Sequence, residues 1–386
     1  MKHLRIHIVI LIVLPVLAGA ILSSCSKEES NRFESVLIIY MAANNNLDSY
    51  ARDNISDIKS GYVPGADDDR ALLLFTHLSG EEPVLKRLYK RESGEVFEQI
   101  ISTYSGESSS DASTLSGVLG VAEERFHADS YGLILWSHST GWLPEGYYDT
   151  HPSGGVFFQD PYASIVKSFG YDNGREMELT DLASAIPYKL SYIIFDACFN
   201  GGIETIYELK EKADYIVASP TEILATGFPY KKIVEPLLTG PDLTQVCDYY
   251  YEYYTTGTGY NSATIALYDT KHLASLATVA ASVFTNHRAE INLVDPLTVQ
   301  PYFRLNKHWF YDLQDFISKF ATDQEYLNFR TVLERIVIYK LNTPQFLDIN
   351  IQRYSGISTY MPVPVDNELD SYYKRYKWNF DSGMIR

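Results

Sequence analysis

Apolar runs of strand length alternate with stretches of helical spacing through the first half of the chain. Val36-Leu37-Ile38-Ile39-Tyr40-Met41 is unbroken hydrophobic sequence and predicts a buried first strand. Asn44-Asn45-Asn46 punctuates it, and residues 47–58 carry helical periodicity. The turn Pro64-Gly65-Ala66-Asp67-Asp68-Asp69 leads into a second strand at 71–76, and residues 84–104 alternate as a hairpin or edge strands would. Ser110-Asp111-Ala112-Ser113 reads as a helix start, with Leu115, Leu119 and Ala122 on its apolar face. Two further buried runs follow, Leu133-Ile134-Leu135-Trp136-Ser137-His138 and Ile193-Ile194-Phe195-Asp196-Ala197-Cys198. Between them, residues 142–178 are long and irregular, a length common in functional or mobile loops. Thr180 is placed to cap a helix over 182–186. Gly201-Gly202 open a helical run through Ile203, Ile206 and Leu209, and residues 215–219 form one more short strand. Buried strands alternating with helices predict an α/β fold with a mostly parallel sheet flanked by helices.

From about Gly240 the pattern changes. Residues 243–249 read as a helix, residues 249–254 hold five tyrosines, and 256–260 is a Gly-rich break. Helices near 273–284 and 326–339 and the segment 355–362 complete an additional C-terminal α/β region. The expected organisation is a core over 35–240 with residues 241–386 packed on it.

The N-terminus reads as an address. Lys2, His3 and Arg5 precede an apolar run over 6–22, then Ser23-Ser24 and Cys25, the layout of an export signal. Leu22-Ser23-Ser24-Cys25 resembles a bacterial lipobox. That implies removal of residues 1–24, a lipid on Cys25, a tether over 25–34 and anchoring in the cell envelope. Ser26-Lys27-Glu28-Glu29 resembles the signals that send some lipoproteins to the outer-membrane surface.

Charge and cysteines narrow the function. A formal net charge of −17 with no basic stripe argues against nucleic acid as a partner. It steers cationic peptides weakly, and it serves solubility equally well. The aspartates 67–69 lack the spaced loop that holds calcium, so no metal ligands are assigned. Of three cysteines, Cys25 goes to lipid. Disulfides are the usual use of cysteine outside the cytosol, but Cys247 lies on an apolar helical face and reads as a buried structural thiol. That leaves Cys198 as a free thiol.

In an open α/β sheet, groups at the carboxyl ends of strands face the crevice where ligands bind. His138 and Cys198 both end such runs, as a cysteine hydrolase needs: a thiolate to attack and an imidazole to carry protons. Backbone N–H groups of Ser139 and Cys198 could hold an oxyanion. His77 also ends a strand and competes as base. Successive side chains on a strand alternate faces, so Asp196 and Cys198 project the same way. A carboxylate there raises the thiol pKa, so it makes more sense as a partner for a substrate cation. The residues alone leave open a structural histidine, a core cysteine and an aspartate satisfying local backbone donors.

Trp136-Ser137-His138-Ser139-Thr140-Gly141-Trp142 and Asp196-Ala197-Cys198-Phe199-Asn200-Gly201-Gly202-Ile203-Glu204 resemble the histidine and cysteine motifs of the clostripain family of cysteine peptidases, in the clan of caspases, gingipains and legumain. Ile39-Tyr40-Met41-Ala42-Ala43-Asn44-Asn45-Asn46-Leu47, Gly227-Phe228-Pro229-Tyr230 and Asp312-Leu313 extend the match. The resemblance implies a caspase-like sheet, a dyad of Cys198 as nucleophile and His138 as base and acid, and hydrolysis after arginine or lysine with Asp196 as the pocket floor. It also implies activation by cleavage between the two catalytic residues, with Arg175 preferred here over Lys167. Some relatives need calcium. The chain departs from the family at Ser139, where glycine is common, at Asn200, where methionine is common, and at Thr226, near which relatives offer a second acid. An inactive peptide-binding or surface-interaction lipoprotein with the same fold is the alternative.

Overall fold

The structure, a computed structural model, describes residues 32–150, 169–172, 174–304, 308–362 and 367–386. Cys25, Lys167 and the expected signal over 1–24 lie outside those residues, as does most of the expected tether. From the N-terminus the elements are β1 (Phe33–Ala43), α1 (Asp48–Ser60), β2 (Arg70–Leu78), the antiparallel pair β3 (Val84–Lys90) and β4 (Val96–Thr103), α2 (Ala112–Arg125) and β5 (Ala128–Trp136). Next come α3 (Tyr147–Thr150), the small hairpin β6 (Phe169–Asp172) and β7 (Arg175–Met177), α4 (Leu179–Ala185), β8 (Leu190–Asp196), α5 (Ile203–Glu208) and β9 (Ala213–Ala218). Then follow α6 (Tyr230–Leu238), α7 (Leu243–Glu252) running into a π-helical turn (Tyr253–Gly257), and β10 (Thr264–Asp269). The chain continues through α8 (Leu273–Asn286), α9 (Arg288–Ile291), β11 (Tyr311–Asp312), α10 (Leu313–Ile317), α11 (Asp323–Leu333) and β12 (Val337–Asn342).

Among the described residues, nine strands make one sheet in the order β12-β10-β9-β8-β5-β1-β2-β3-β4. The five at its centre, β9-β8-β5-β1-β2, run parallel, and the outer pairs are antiparallel. The central strands are apolar on both faces because both are covered. Ile38, Tyr40, Leu133, Leu135, Ile193 and Phe195 pack in one cluster with Leu115, Val118 and Leu119 of α2. Leu37, Ile39, Ile134 and Ile194 pack in the other with Ala51 and Ile58 of α1 and Ile233, Val234 and Leu237 of α6. The predicted mostly parallel sheet flanked by helices is thus observed.

Several expectations need correction. Strands β5 and β8 stop at Trp136 and Asp196, two residues before His138 and Cys198, so both reactive side chains sit on turns above the sheet edge. Helix α4 begins at Leu179 with Glu178 at its N-cap, which puts Thr180 inside the first turn. The expected helix over 326–339 is α11 followed by a strand. A Thr322/Glu325 capping box fixes its start. It ends at Leu333, and Val337–Asn342 pairs with β10 instead. The irregular stretch 142–178 contains the hairpin β6–β7. Residues after 240 share the core's sheet, since β10 and β12 extend it past β9.

Candidate active site

Strands β5 and β8 are parallel neighbours, with Trp136 opposite Asp196. Two residues beyond that pair, the turns carry His138 and Cys198 at the same level. Both line a cavity of about 20 Å³ with Leu47, Trp136, Asp196 and Ile223. A space of that size holds about one water molecule. A larger cleft, of about 720 Å³, lies among Asp312, Arg330, Lys340 and Arg353 and includes none of these residues.

The cysteine turn is tightly held. Phe199 adopts φ 60°, unusual for a residue with a side chain, and its ring stacks on Phe310 with centroids 4.4 Å apart. Phe199 N–H donates to Thr221 O at 2.8 Å and Gly201 N–H to Ser219 O at 2.8 Å. A Cβ on Gly201 would lie 2.5 Å from Pro220 N, so only glycine permits this approach. The Asn200 amide donates to Cys198 O at 2.9 Å. Cys198 and Cys247 are both buried thiols, and burial pushes the Cys247 thiol far above its ordinary range.

The Cys198 thiol is covered by backbone. Ile223 N–H lies 3.3 Å from Sγ, and Sγ lies 3.5 Å from Ile223 O. The segment 221–227 that carries Ile223 is secured on both sides. Glu222 pairs with Arg304 at 2.6 Å, each side chain 7% exposed. Tyr254, from the π-helical turn, donates to Gly227 O at 2.8 Å and lies 3.0 Å from the Thr226 hydroxyl.

Asp196 lies beneath that segment. Its Oδ2 accepts from Phe228 N–H at 3.1 Å and from the Tyr230 hydroxyl at 2.9 Å. A Cβ on Gly227 would sit 2.6 Å from the same oxygen, and Gly227 has φ 67°. Desolvation raises the Asp196 pKa to about 7 despite the two hydrogen bonds.

His138 is buried, and its Nε2 lies 2.7 Å from Asn46 Oδ1. Ser139 is also buried, and its hydroxyl accepts Gly141 N–H at 3.0 Å. The rival base, His77, sits on β2 and is engaged elsewhere, its Nδ1 3.0 Å from Ser109 Oγ and from Asp172 Oδ2. Burial works against ionising Asp172, yet hydrogen bonds from His77, Ser108 and Ser109 hold its pKa well below the usual range. Arg175 opens β7 with its guanidinium 3.4 Å from Asp111. Among the described residues, no group of three or more His, Cys, Asp or Glu converges as a metal site.

Asn46, Ile223, the Glu222–Arg304 pair and Tyr254 were not singled out from the sequence. The Asn triplet was visible in it as a turn and as part of a stretch matching the family, and the tyrosine run as a helix flank, with no role at the site given to either.

A histidine and a cysteine raised from the carboxyl ends of adjacent parallel strands, in a sheet covered on both faces, define a caspase-like cysteine-peptidase fold. The clostripain family model matches residues 39–384. The chain belongs to the clostripain family of cysteine peptidases. It is 25% identical over 238 residues to clostripain of Hathewaya histolytica, a match covering 56% of this chain and 44% of that protein. The chain therefore matches less than half of that relative's length. An inactive zymogen C11 protease from Parabacteroides distasonis superposes with a TM-score of 0.79 at 30% identity, covering 91% of this chain and 98% of that one. A secreted C11 cysteine protease from Bacteroides thetaiotaomicron, "iotapain", gives 0.76 at 26% identity, covering 91% and 99%.

Proposed function

We propose that the chain is a cysteine endopeptidase that cleaves after arginine or lysine. The observation that carries this reading is the register of β5 and β8, which brings His138 and Cys198 to one level around one cavity. His138 takes the thiol proton as Sγ attacks the scissile carbonyl, and backbone N–H groups of Ser139 and Cys198 stabilise the oxyanion. His138 then gives the proton to the leaving amine. Water hydrolyses the thioester, releasing the acid and restoring the thiol. Asp196 at the cavity wall is the counter-charge for the substrate's basic side chain, and Thr226 in place of a second acid makes that preference depend on Asp196 alone.

The conformation with Ile223 on Sγ is a resting one, in keeping with the structural likeness to a zymogen. Opening requires segment 221–227 to move, and processing within 142–178, after Arg175 or Lys167, is the proposed trigger. The chain is exported, a reading supported by the secreted relative, and a lipid on Cys25, which rests on the lipobox-like Leu22-Ser23-Ser24-Cys25, anchors it in the cell envelope.

The test offers the chain lacking residues 1–25 fluorogenic peptides with Arg, Lys or neutral residues before the bond, beside Cys198→Ala. Cleavage after Arg or Lys, lost in the variant, is expected. Cleavage after neutral residues removes Asp196 from its role. No turnover after limited trypsin treatment with calcium added favours the peptide-binding lipoprotein.

A further inference from the structure

The polar triplet after β1 does three different jobs, and together they reach the catalytic histidine. Asn44 Nδ2 donates to Asp172 Oδ1 at 2.8 Å, and Asn45 Nδ2 donates to Tyr171 O at 2.8 Å, so both are tied to β6. Asn45 also organises its own turn, its Oδ1 accepting Leu47 N–H at 2.9 Å. Asn46 points the other way, its Oδ1 2.7 Å from His138 Nε2. The same strand touches the histidine directly, through Gly170 N–H and His138 O at 3.3 Å.

An amide oxygen only accepts, so the imidazole nitrogen facing it carries the proton. In the neutral ring that makes Nδ1 the basic nitrogen. Asn46 is itself exposed to solvent, where a lone carboxamide would exchange partners with water. Its backbone is fixed by the ties that Asn44 and Asn45 make to residues 171 and 172.

We propose that Asn46 is a positioning residue that holds His138 in the Nε2–H tautomer with Nδ1 as the working base, and that β6 fixes Asn46 through Asn44 and Asn45. Its catalytic consequence rests on the peptidase reading above; the tautomer does not.

The test therefore has one arm that needs no turnover. Imidazole nitrogen resonances are recorded on 15N-histidine-labelled protein, with His138 assigned by difference from His138→Gln. Wild type is expected to show a protonated Nε2 and an unprotonated Nδ1. Asn46→Ala and Asn45→Ala are expected to give mixed tautomers, and Asn46→Asp, which keeps the acceptor, to restore the wild-type pattern. In the kinetic arm, Asn46→Ala lowers kcat by about ten- to a hundredfold with KM within about twofold, and Asn46→Asp recovers most of it. A protonated Nδ1 in wild type, or an Asn46→Ala spectrum unchanged from it, overturns the proposal. An unchanged Asn45→Ala spectrum removes β6 from it. An altered tautomer with unchanged kcat overturns the catalytic role. Spectra that behave as expected in a chain that cleaves nothing leave the tautomer assignment standing and bring down the peptidase reading alone.

Discussion

Replacing Asp196 with asparagine should make the protein more stable as pH rises while weakening its grip on basic substrates. The carboxyl is buried, and desolvation raises its pKa to about 7 in the folded state from an ordinary value of 3.8. A raised folded pKa means the native state binds this proton more tightly than the unfolded chain does. The stability so gained is fully present below pH of about 4 and is lost as pH rises through about 7. Roughly three pH units at about 1.4 kcal/mol each give a swing of about 4 kcal/mol in order of magnitude. Asparagine does not titrate, and its amide oxygen can accept from Phe228 N–H and the Tyr230 hydroxyl as Oδ2 does. Urea unfolding at pH 5, 6, 7 and 8, run in a Cys198→Ala background for both proteins, should show Asp196→Asn gaining on its parent by a few kcal/mol over that range. Parallel stability curves would refute the reasoning, because they mean that burial does not perturb the carboxyl. With Cys198 restored, Asp196→Asn should also lose cleavage after arginine above pH of about 7, where wild type has its carboxylate ionised.

Three further outcomes are expected. Arg304→Ala leaves Glu222 buried without its guanidinium, which costs about 3 kcal/mol and loosens segment 221–227, so iodoacetamide should alkylate Cys198 faster than in wild type. Gly227→Ala forces a Cβ to 2.6 Å from Asp196 Oδ2 at φ 67° and should lower stability by about 2 kcal/mol or more, read in the same unfolding assay. Cys247→Ala removes only a buried structural thiol and should leave peptide hydrolysis unchanged, whereas Cys198→Ala abolishes it.

The sheet was legible because its central strands are long apolar runs, and His138 and Cys198 were legible because each follows such a run. What escaped depends on distant pairing. Asn46 reaches His138 because β1 lies beside β5 with Met41 opposite Trp136, a register no local pattern encodes. Arg304 meets Glu222 across a gap of 82 residues. Val337-Ile338-Tyr339-Lys340-Leu341 fits a helical period as well as an alternating one, and pairing with β10 decides for the strand. Asp196 was expected to share a side with Cys198 by alternation. Strand β8 ends at Asp196, so it is the shared cavity, not the pleat, that brings the two together.

The Ile223 backbone lying on Cys198 has a consequence for the enzyme's durability. Thiols that serve as nucleophiles are also the first to be spoiled by peroxides and disulfides, and access governs both fates. With Cys198 as the proposed nucleophile, the oxidant and the substrate wait for the same segment to lift. Wear on the active sulfur is thus counted in openings rather than in hours of exposure, and a thiol-reactive stain applied to the resting protein would under-report how much competent enzyme a sample holds.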